Sequence, residues 1–435
     1  MKDESMFRKG GVSYVVPFII ITTCFALWGF ANDITNPMVK AFSKIFRMST
    51  TDGALVQVAF YGGYFAMAFP AAMFIRRYSY KAGVMLGLLL YAVGAFLFFP
   101  AKAMGEYYAF LLAYFVMTCG LSFLETSCSP YILTMGPEET ATRRLNLAQS
   151  FNPIGSLLGM YVAMNFIQAR LNPLDTEARA MLDDAQFEAV KEHDLGVLIS
   201  PYLAIGIVIL LVLLVIRMAR MPKSAEDGKS ASFIPTLKRI FSMPHYREGV
   251  FTQFFYVGVQ IMCWTFIIQY GTRVFMQQGM TEIDAEVLSQ RYNILAMVIF
   301  CLARFVCTFV LRYLNAGQLL MTLAALGGCL TLGVIMLQNV WGLYCLVAVS
   351  GCMSLMFPTI YSISLKGLGE DAKFGAAGLV MAILGGSVLP ALQACIIDRG
   401  EVMGMPAVNV SFALTLLSFI VITVFGYRTL RRSKK

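Results

Sequence analysis

The sequence predicts an all-α membrane protein of about twelve transmembrane helices, organised as two bundles of six. Three observations predict this fold class: the composition, a series of long apolar runs, and a polar stretch that divides the chain. Of the 435 residues, 58% are hydrophobic and only 14% are charged, whereas a soluble domain carries about 25% charged residues because its surface faces water. Much of the surface of this protein is therefore expected to face lipid.

Twelve apolar runs follow one another along the chain, and each is long enough to cross a bilayer as a helix. Several contain glycine or proline, which membrane helices tolerate because neighbouring helices satisfy the freed backbone groups. Residues 1–11 are polar and the first run exceeds the core of a signal peptide, so we expect a first span and no cleaved leader. The predicted spans lie at residues 12–38, 54–75, 82–100, 107–133, 145–166, 197–216, 250–275, 292–311, 319–337, 342–365, 376–397 and 407–427.

The loops alternate in charge. Basic residues cluster in every second polar segment, at positions 76–81, 143–144, 217–239 and 431–435, whereas the loop at 172–194 is acidic. Because Lys and Arg accumulate in cytoplasmic loops, we expect both termini in the cytoplasm, which requires an even number of spans. The chain is expected to be a multi-pass protein of the bacterial inner membrane, in contact with anionic lipid.

The polar stretch after the sixth run divides the chain into two halves. We expect residues 1–217 to form an N-terminal six-helix half, residues 218–247 a cytoplasmic linker, and residues 248–435 a C-terminal six-helix half. A weak repeat links the halves, since Pro130-Tyr-Ile before Gly136-Pro-Glu-Glu resembles Pro358-Thr-Ile-Tyr before Gly369-Glu-Asp. Parallel repeats of this kind are typical of carriers that bind substrate in a central cavity between the halves.

Three ionisable residues lie inside predicted spans: Asp33 in the first, Glu125 in the fourth and Arg304 in the eighth. An ionisable group in a membrane costs free energy unless it faces a cavity or a partner, so each is a candidate functional residue. Two alternatives stay open. Glu125 and Arg304 could form a structural ion pair, and Asp33 could lie near the membrane surface and be merely solvated.

Carboxamides accompany these carboxylates. Asn32 and Asn36 share a helix face beside Asp33, and residues 146, 149 and 152 of the fifth run are amides at three-residue spacing. Carboxylates and amides in a water-accessible cavity can hydrogen-bond the hydroxyls of a sugar, and a desolvated carboxylate can exchange a proton near neutral pH. The alternative is that the amides only join neighbouring helices. The aromatic residues Trp28 and Tyr361 are candidates to stack on a sugar ring.

Other classes of function are excluded or disfavoured. The basic residues form short clusters between apolar runs, so the net charge of +9 does not indicate a nucleic-acid partner. The ten cysteines lie in or beside apolar runs without CxxC spacing, and both histidines, His193 and His245, lie outside the runs, so we expect no disulfide and no metal site. No catalytic or nucleotide-binding motif is present, so we expect neither an enzyme nor a cofactor.

Six blocks of sequence resemble the fucose:proton symporter family of the major facilitator superfamily, and the resemblance runs nearly from end to end. The blocks are residues 59–65 (AFYGGYF), 124–126 (LET), 136–138 (GPE), 144–152 (RLNLAQSFN), 253–260 (QFFYVGVQ) and 357–360 (FPTI). The resemblance implies the major facilitator fold, with two six-helix halves around a central cavity. It also implies the uptake of L-fucose, or of another sugar in relatives, driven by protons.

The family has key carboxylates in spans one and four and amides around span five. The resemblance places the second carboxylate on Glu125 and the amides on Gln149 and Asn152. The first carboxylate position falls on Asn36, whereas this chain carries Asp33 three residues earlier on the same helix face, so either residue could take that role. The loop at 76–81 also lacks the glycine and aspartate that are usual in the superfamily.

The sequence therefore predicts a secondary transporter that works by alternating access and is expected to be monomeric. We assign proton coupling to Asp33 and Glu125 and a gating or structural charge to Arg304. Galactose, glucose or N-acetylglucosamine as substrate, and sodium as coupling ion, remain alternatives; a membrane sugar sensor is a different class, disfavoured by the short tail after Tyr427. The predicted sugar-binding residues are Trp28, Asn32, Asn36, Glu125, Gln149, Asn152 and Tyr361.

Overall fold

The computed structural model describes residues 6–9, 11–35, 38–48, 55–174, 178–179, 181–219, 221, 233–402 and 404–433. Nearly all of them are helical. In chain order the helices are α1 (Val15–Thr35), α2 (Met38–Ile45), α3 (Leu55–Arg77), α4 (Tyr80–Met104), α5 (Tyr107–Thr134), α6 (Ala141–Gln149), α7 (Asn152–Val162), α8 (Asp184–Met218), α9 (Phe233–Ser242), α10 (Pro244–Met276), α11 (Glu282–Val310), α12 (Ala316–Met336), α13 (Val340–Met353), α14 (Met356–Leu365), α15 (Ala372–Met381), α16 (Gly385–Ile397), α17 (Ala407–Ser411) and α18 (Ala413–Ser433).

Short elements complete the described structure. Two hairpins of two-residue strands pair β1 (Arg8–Lys9) with β2 (Val12–Ser13), and β3 (Glu401–Val402) with β4 (Met405–Pro406). Helix α7 continues as a π turn, Ala163–Ile167, and a 3-10 turn, Gln168–Arg170. Further 3-10 turns precede α6, α15 and α16, at Glu138–Thr140, Gly369–Asp371 and Ala382–Leu384.

Eleven helical segments in the described part of the chain are long and apolar enough to cross a membrane. The predicted fifth span is not among them because it is divided: α6 ends at Gln149, α7 begins at Asn152, and α7 gives way to the π turn after Val162. The predicted class, an all-α membrane protein of about twelve spans, is confirmed. The division of the fifth span is a feature that the continuous apolar run did not predict.

Side-chain caps fix the ends of several spans. A helix begins with backbone N–H groups that have no helical partner, and a polar side chain just before the helix accepts from one of them. At the other end of α4, Gly105 adopts a left-handed conformation (φ 65°) that favours glycine and closes the helix. The N-terminal caps of α4, α8, α11, α12 and α13 are Ser79, Asp183, Thr281, Asn315 and Asn339.

The chain forms two compact units. The first contains residues 1–135 and 151–231, and the second contains residues 136–150 and 232–435. Helix α6 thus packs within the second unit, although the sequence assigned its residues to the N-terminal half. The chain passes from the second unit to the first between Ser150 and Phe151.

The same helix pairs recur in both units. In the first unit α4 packs against α5 and α8, α3 packs against α5, and α1 packs against α7. In the second unit α12 packs against α13 and α18, α11 packs against α13, and α10 packs against α16. Each pair of the second unit lies six spans after its counterpart. This recurrence supports the parallel repeat that the sequence suggested.

Small residues bring α1 and α7 into backbone contact. A Cβ atom on Gly29, Gly155 or Gly159 would collide with a carbonyl oxygen of the opposite helix, at Asn152, Ala26 and Phe30 respectively. Small residues let membrane helices approach in this way, and Gly155 and Gly159 form a GxxxG pattern. The contact fixes the position of the α1 face that carries the predicted sugar-binding residues.

A buried ion pair organises the segment between α7 and α8. The Nη2 atom of Arg179 donates to Oδ2 of Asp194 over 2.6 Å, and both side chains are almost inaccessible to solvent. Arg179 also donates to the carbonyl oxygens of Asn172 and Leu174, and the backbone N–H of Asn172 donates to Asp194. Both charges are therefore paired with each other and hydrogen-bonded to fixed groups, as buried ions require, although Nη1 of Arg179 has no partner among the described residues.

We expect Asp194→Asn to lower the thermal midpoint of the purified protein strongly. The amide keeps the size of the side chain but leaves the buried guanidinium of Arg179 without a counter-charge, and breaking a buried pair costs about 3–5 kcal/mol. The matched control is Glu188→Gln, which removes an exposed ion pair with Lys191 worth about 0.5 kcal/mol or less. Thermal unfolding in detergent measures both variants. Equal midpoints would mean that the Arg179–Asp194 pair contributes no more than a surface pair.

Candidate functional site

Helix α1 presents Trp28, Asn32 and Asp33 within the first unit. Trp28 is buried, and its ring lies 6.4 Å from the ring of Tyr64 on α3. The Oδ1 atom of Asn32 is buried without a hydrogen-bond partner. Asp33 is half-buried and interacts electrostatically with Tyr61, also on α3. Asn36 lies outside the described residues.

Helix α5 places Glu125 in the interior of the first unit, with no solvent-accessible surface. Its Oε1 atom accepts a hydrogen bond from Ser129 Oγ, one turn further along, over 2.8 Å. Its Oε2 atom has no hydrogen-bond partner. A carboxylate is rarely buried in this half-satisfied state, so one oxygen is available to a ligand or to a proton.

Four buried polar atoms in this region lack a hydrogen bond of normal geometry among the described residues, although Trp28 and Tyr64 interact with each other. They belong to α1, α3 and α5, and are Trp28 Nε1, Asn32 Oδ1, Tyr64 OH and Glu125 Oε2. The group contains a donor, two acceptors and a hydroxyl that can do both. Because each unsatisfied polar group in a membrane costs free energy, the cluster is suited to a polyhydroxylated ligand that pairs with all four. The sequence did not single out Tyr64, since an aromatic residue in an apolar run looks like packing.

The three amides of the fifth run do not form one continuous stripe. Asn146 and Gln149 lie on α6 in the second unit, whereas Asn152 begins α7 in the first. Asn146 donates to Thr359 Oγ1 on α14 over 3.1 Å, and Asn152 donates to the carbonyl oxygen of Phe25 on α1 over 3.2 Å. These two amides join helices, which is the alternative that the sequence left open. The side chain of Gln149 is buried.

Arg304 on α11 is buried and connects two helix ends in the second unit. Its Nη1 atom donates to the carbonyl oxygen of Gln149, the last residue of α6, over 3.0 Å. Its Nε atom donates to the carbonyl oxygen of Ser354, the residue that caps the end of α13. The guanidinium also lies 4.4 Å from the centre of the Phe300 ring. Neither Arg304 nor Glu125 takes part in an ion pair among the described residues.

The two helix ends supply the negative charge that Arg304 needs. A helix C-terminus carries the equivalent of about half a negative charge on its free carbonyl groups. Two such ends meet one guanidinium, so the cation is balanced without a carboxylate. The planar fork of arginine can donate to both carbonyl groups at once, which a lysine cannot do in the same geometry.

Tyr361 also belongs to the second unit. It lies on α14, is fully buried, and its ring stacks on that of Phe357 at 6.1 Å. In the described part of the chain, no group of three or more His, Cys, Asp or Glu side chains is placed to hold a metal ion.

We expect Arg304→Gln to lower the thermal midpoint clearly, because two carbonyl groups at helix ends lose a charged donor, and hydrogen bonds to charged groups contribute about 1.5–3 kcal/mol each. Arg304→Lys should lie between the wild type and Arg304→Gln, since it keeps the charge but not the fork. The matched control is Arg312→Gln, an exposed arginine after the same helix. A midpoint for Arg304→Gln equal to that of the control would contradict the bridging role.

Comparisons with known proteins agree with this structure. Residues 21–390 match the family model of the Major Facilitator Superfamily. The chain is 51% identical over 422 residues to the L-fucose-proton symporter of Haemophilus influenzae, covering 95% of this chain and 96% of that protein. It is 32% identical to the L-fucose-proton symporter of Escherichia coli, covering 98% of this chain and 94% of that protein.

The crystal structure of the fucose:proton symporter of Escherichia coli in its outward conformation superposes with a TM-score of 0.86 at 31% identity, and the match covers 96% of this chain and 99% of that chain. A glucose/galactose transporter of Brucella abortus is 27% identical, covering 93% of this chain and 92% of that protein. The predicted fold and the resemblance are thereby confirmed. The chain belongs to the major facilitator superfamily and, within it, to the family of the L-fucose-proton symporters.

Proposed function

We propose that this protein is a secondary transporter that imports L-fucose together with protons by alternating access. The carrying observation is the cluster of buried polar atoms around Glu125 that lack a hydrogen bond of normal geometry, found in a chain that aligns along almost its whole length with proteins named L-fucose-proton symporters. A monosaccharide offers several hydroxyls, each able to donate and accept, and the cluster offers complementary groups. The proposed activity is transport, and the proton is the only coupling ion that it requires.

Within this function we assign the sugar contacts to both carboxamides and aromatic groups. Trp28 and Asn32 lie one turn apart on α1 and contribute a donor and an acceptor, and Tyr64 joins them from α3. Gln149 and Tyr361 of the second unit remain predicted sugar contacts, whereas Asn152 is assigned to joining α1 and α7. Asn36 is an alternative to Asp33 at the first carboxylate position. Arg304 acts as a structural charge that controls the position of α6 and makes no sugar contact.

We assign the two carboxylates different tasks. Glu125 is fully buried next to Tyr64, and its Oε2 atom has no hydrogen-bond partner among the described residues. We therefore assign Glu125 to sugar binding. Asp33 is half-buried near Tyr61, so it keeps contact with water and can gain and lose a proton. The protein is proposed to work as a monomer in the bacterial inner membrane, with both termini in the cytoplasm.

The choice of sugar is tested by counterflow of radiolabelled L-fucose in proteoliposomes. We expect unlabelled L-fucose to compete best, and D-glucose, D-galactose and N-acetylglucosamine to compete weakly at equal concentration. A second candidate, a glucose or galactose transporter, is favoured only by the relative at 27% identity. Strong competition by glucose or galactose with none by L-fucose would favour that candidate. Replacing sodium by potassium should leave accumulation unchanged, whereas a protonophore should abolish it.

The division between the carboxylates gives a sharper prediction. Counterflow needs sugar binding and alternation without net proton movement, whereas accumulation needs a group that ionises in each cycle. An amide preserves size and most hydrogen bonding but cannot ionise. Asp33→Asn should therefore abolish proton-driven accumulation and preserve counterflow, and Glu125→Ala should weaken both.

The control for this pair is Glu192→Gln, which neutralises an exposed carboxylate near the start of α8 and should change neither assay. Full accumulation by Asp33→Asn would assign the proton to Glu125 alone. Loss of counterflow in Asp33→Asn would instead assign Asp33 to sugar binding.

A further inference from the structure

A groove opens in the first unit between the end of the fifth span and the start of α8, and the transport chemistry proposed above does not use it. Its volume is about 590 Å³. One wall consists of Val162, Phe166 and Arg170, which are spaced four residues apart and share a face. The opposite wall is a stripe of α8 that includes Val197 and Pro201.

Each wall of the groove contains a helix irregularity. On one wall the fifth span changes from α-helix to a π turn at Ala163–Ile167, and π turns inside membrane helices often occur at functional sites. On the other wall Pro201 lies inside α8, and its ring and missing N–H disturb the helix locally. The groove is therefore built into both helices and does not depend on one side chain.

The two ends of the groove differ in polarity. Arg170 and His193 lie at one end. Val162 and Ala204 lie two or more helical turns further along the same two walls, and Val197 lies between. From His193 to Ala204 the stripe extends about 16 Å along α8 at 1.5 Å per residue. The hydrocarbon core of a bilayer is about 30 Å thick. The groove thus has the depth of one leaflet, with its polar end at the membrane surface.

The polar end is positively charged. Arg170 is exposed, forms no ion pair among the described residues, and lies 5.2 Å from the centre of the Phe166 ring. The ammonium group of Lys102 lies beside Gly196, where a larger residue would crowd it. His193 donates or accepts through Nδ1 at 3.2 Å from Asp194, a carboxylate already neutralised by Arg179, and its Nε2 makes no hydrogen bond among the described residues.

We propose that this groove binds one phospholipid with a net negative head group, of the phosphatidylglycerol class. The phosphate binds to Arg170 and His193 with Lys102 nearby, because cationic donors bind phosphate oxygens by short charge-assisted hydrogen bonds. One acyl chain lies along Val162, Val197 and Ala204. In the orientation proposed above, the lipid belongs to the outer leaflet.

Native mass spectrometry of the delipidated protein in detergent tests the site by titration with phosphatidylglycerol, phosphatidylcholine or inorganic phosphate. We expect one phosphatidylglycerol to bind at least tenfold more tightly than phosphatidylcholine, and inorganic phosphate not to displace it. Arg170→Gln should remove this preference, and Ala204→Trp should abolish the first binding event by filling the apolar end. Both variants should keep the wild-type thermal midpoint in detergent alone.

The matched control is Arg312→Gln, which removes another exposed arginine that lies over a ring, that of Tyr313, away from the groove. It should bind lipid as the wild type does. Equal binding by the wild type and Arg170→Gln would overturn the head-group assignment. Unchanged binding by Ala204→Trp would overturn the acyl-chain assignment, and displacement by inorganic phosphate would identify an anion site with no lipid specificity. A lipid-free dimer that Ala204→Trp abolishes would show that the groove binds a second copy of the chain instead.

Discussion

The interaction on which the described arrangement of the fifth span depends is the pairing of Arg304 with two helix C-termini. A buried guanidinium needs about one negative charge nearby, and Gln149 and Ser354 provide it as carbonyl groups at the ends of α6 and α13. This solution is possible only if α6 ends at Gln149. The break in the fifth span therefore frees the carbonyl group that the buried guanidinium of Arg304 needs, in agreement with the rule that backbone polar groups in a membrane find a partner.

In the candidate sugar site, unlike at Arg304, several buried polar atoms have no hydrogen bond of normal geometry among the described residues. The amide N–H groups of Asn146 and Asn152 donate hydrogen bonds to neighbouring helices. By contrast, Trp28, Asn32 and Glu125 each have one buried polar atom that lacks such a bond. Asn146 also keeps its Oδ1 atom without a partner among the described residues, so one amide can join two helices through its N–H group and still offer an acceptor.

The sequence was sufficient for the class of fold, the spans and the charged candidates, because an ionisable residue in an apolar run is conspicuous at any position. Glu125 and Arg304 were found in this way. Tyr64 was not, since a tyrosine among Phe60 and Tyr61 reads as packing until its hydroxyl is seen to lack a hydrogen bond of normal geometry. The division of the fifth span was hidden as well, because residues 145–166 are apolar enough on average to read as one span; only Asn152–Pro153, a pair that favours a helix start, marked the place.

The break also has a mechanical meaning. The chain passes from the second unit to the first between Ser150 and Phe151, so any movement of α7 relative to α6 must be absorbed by the backbone at that junction. Of these two helices Arg304 contacts α6, through its last carbonyl group, whereas Gly155 and Gly159 hold α7 against α1 by direct backbone contact. Each side of the junction is thus fixed by an independent interaction. Helix ends that are fixed in this way leave only Ser150 and Phe151 to absorb any change in backbone conformation between them, as the few residues of a hinge do.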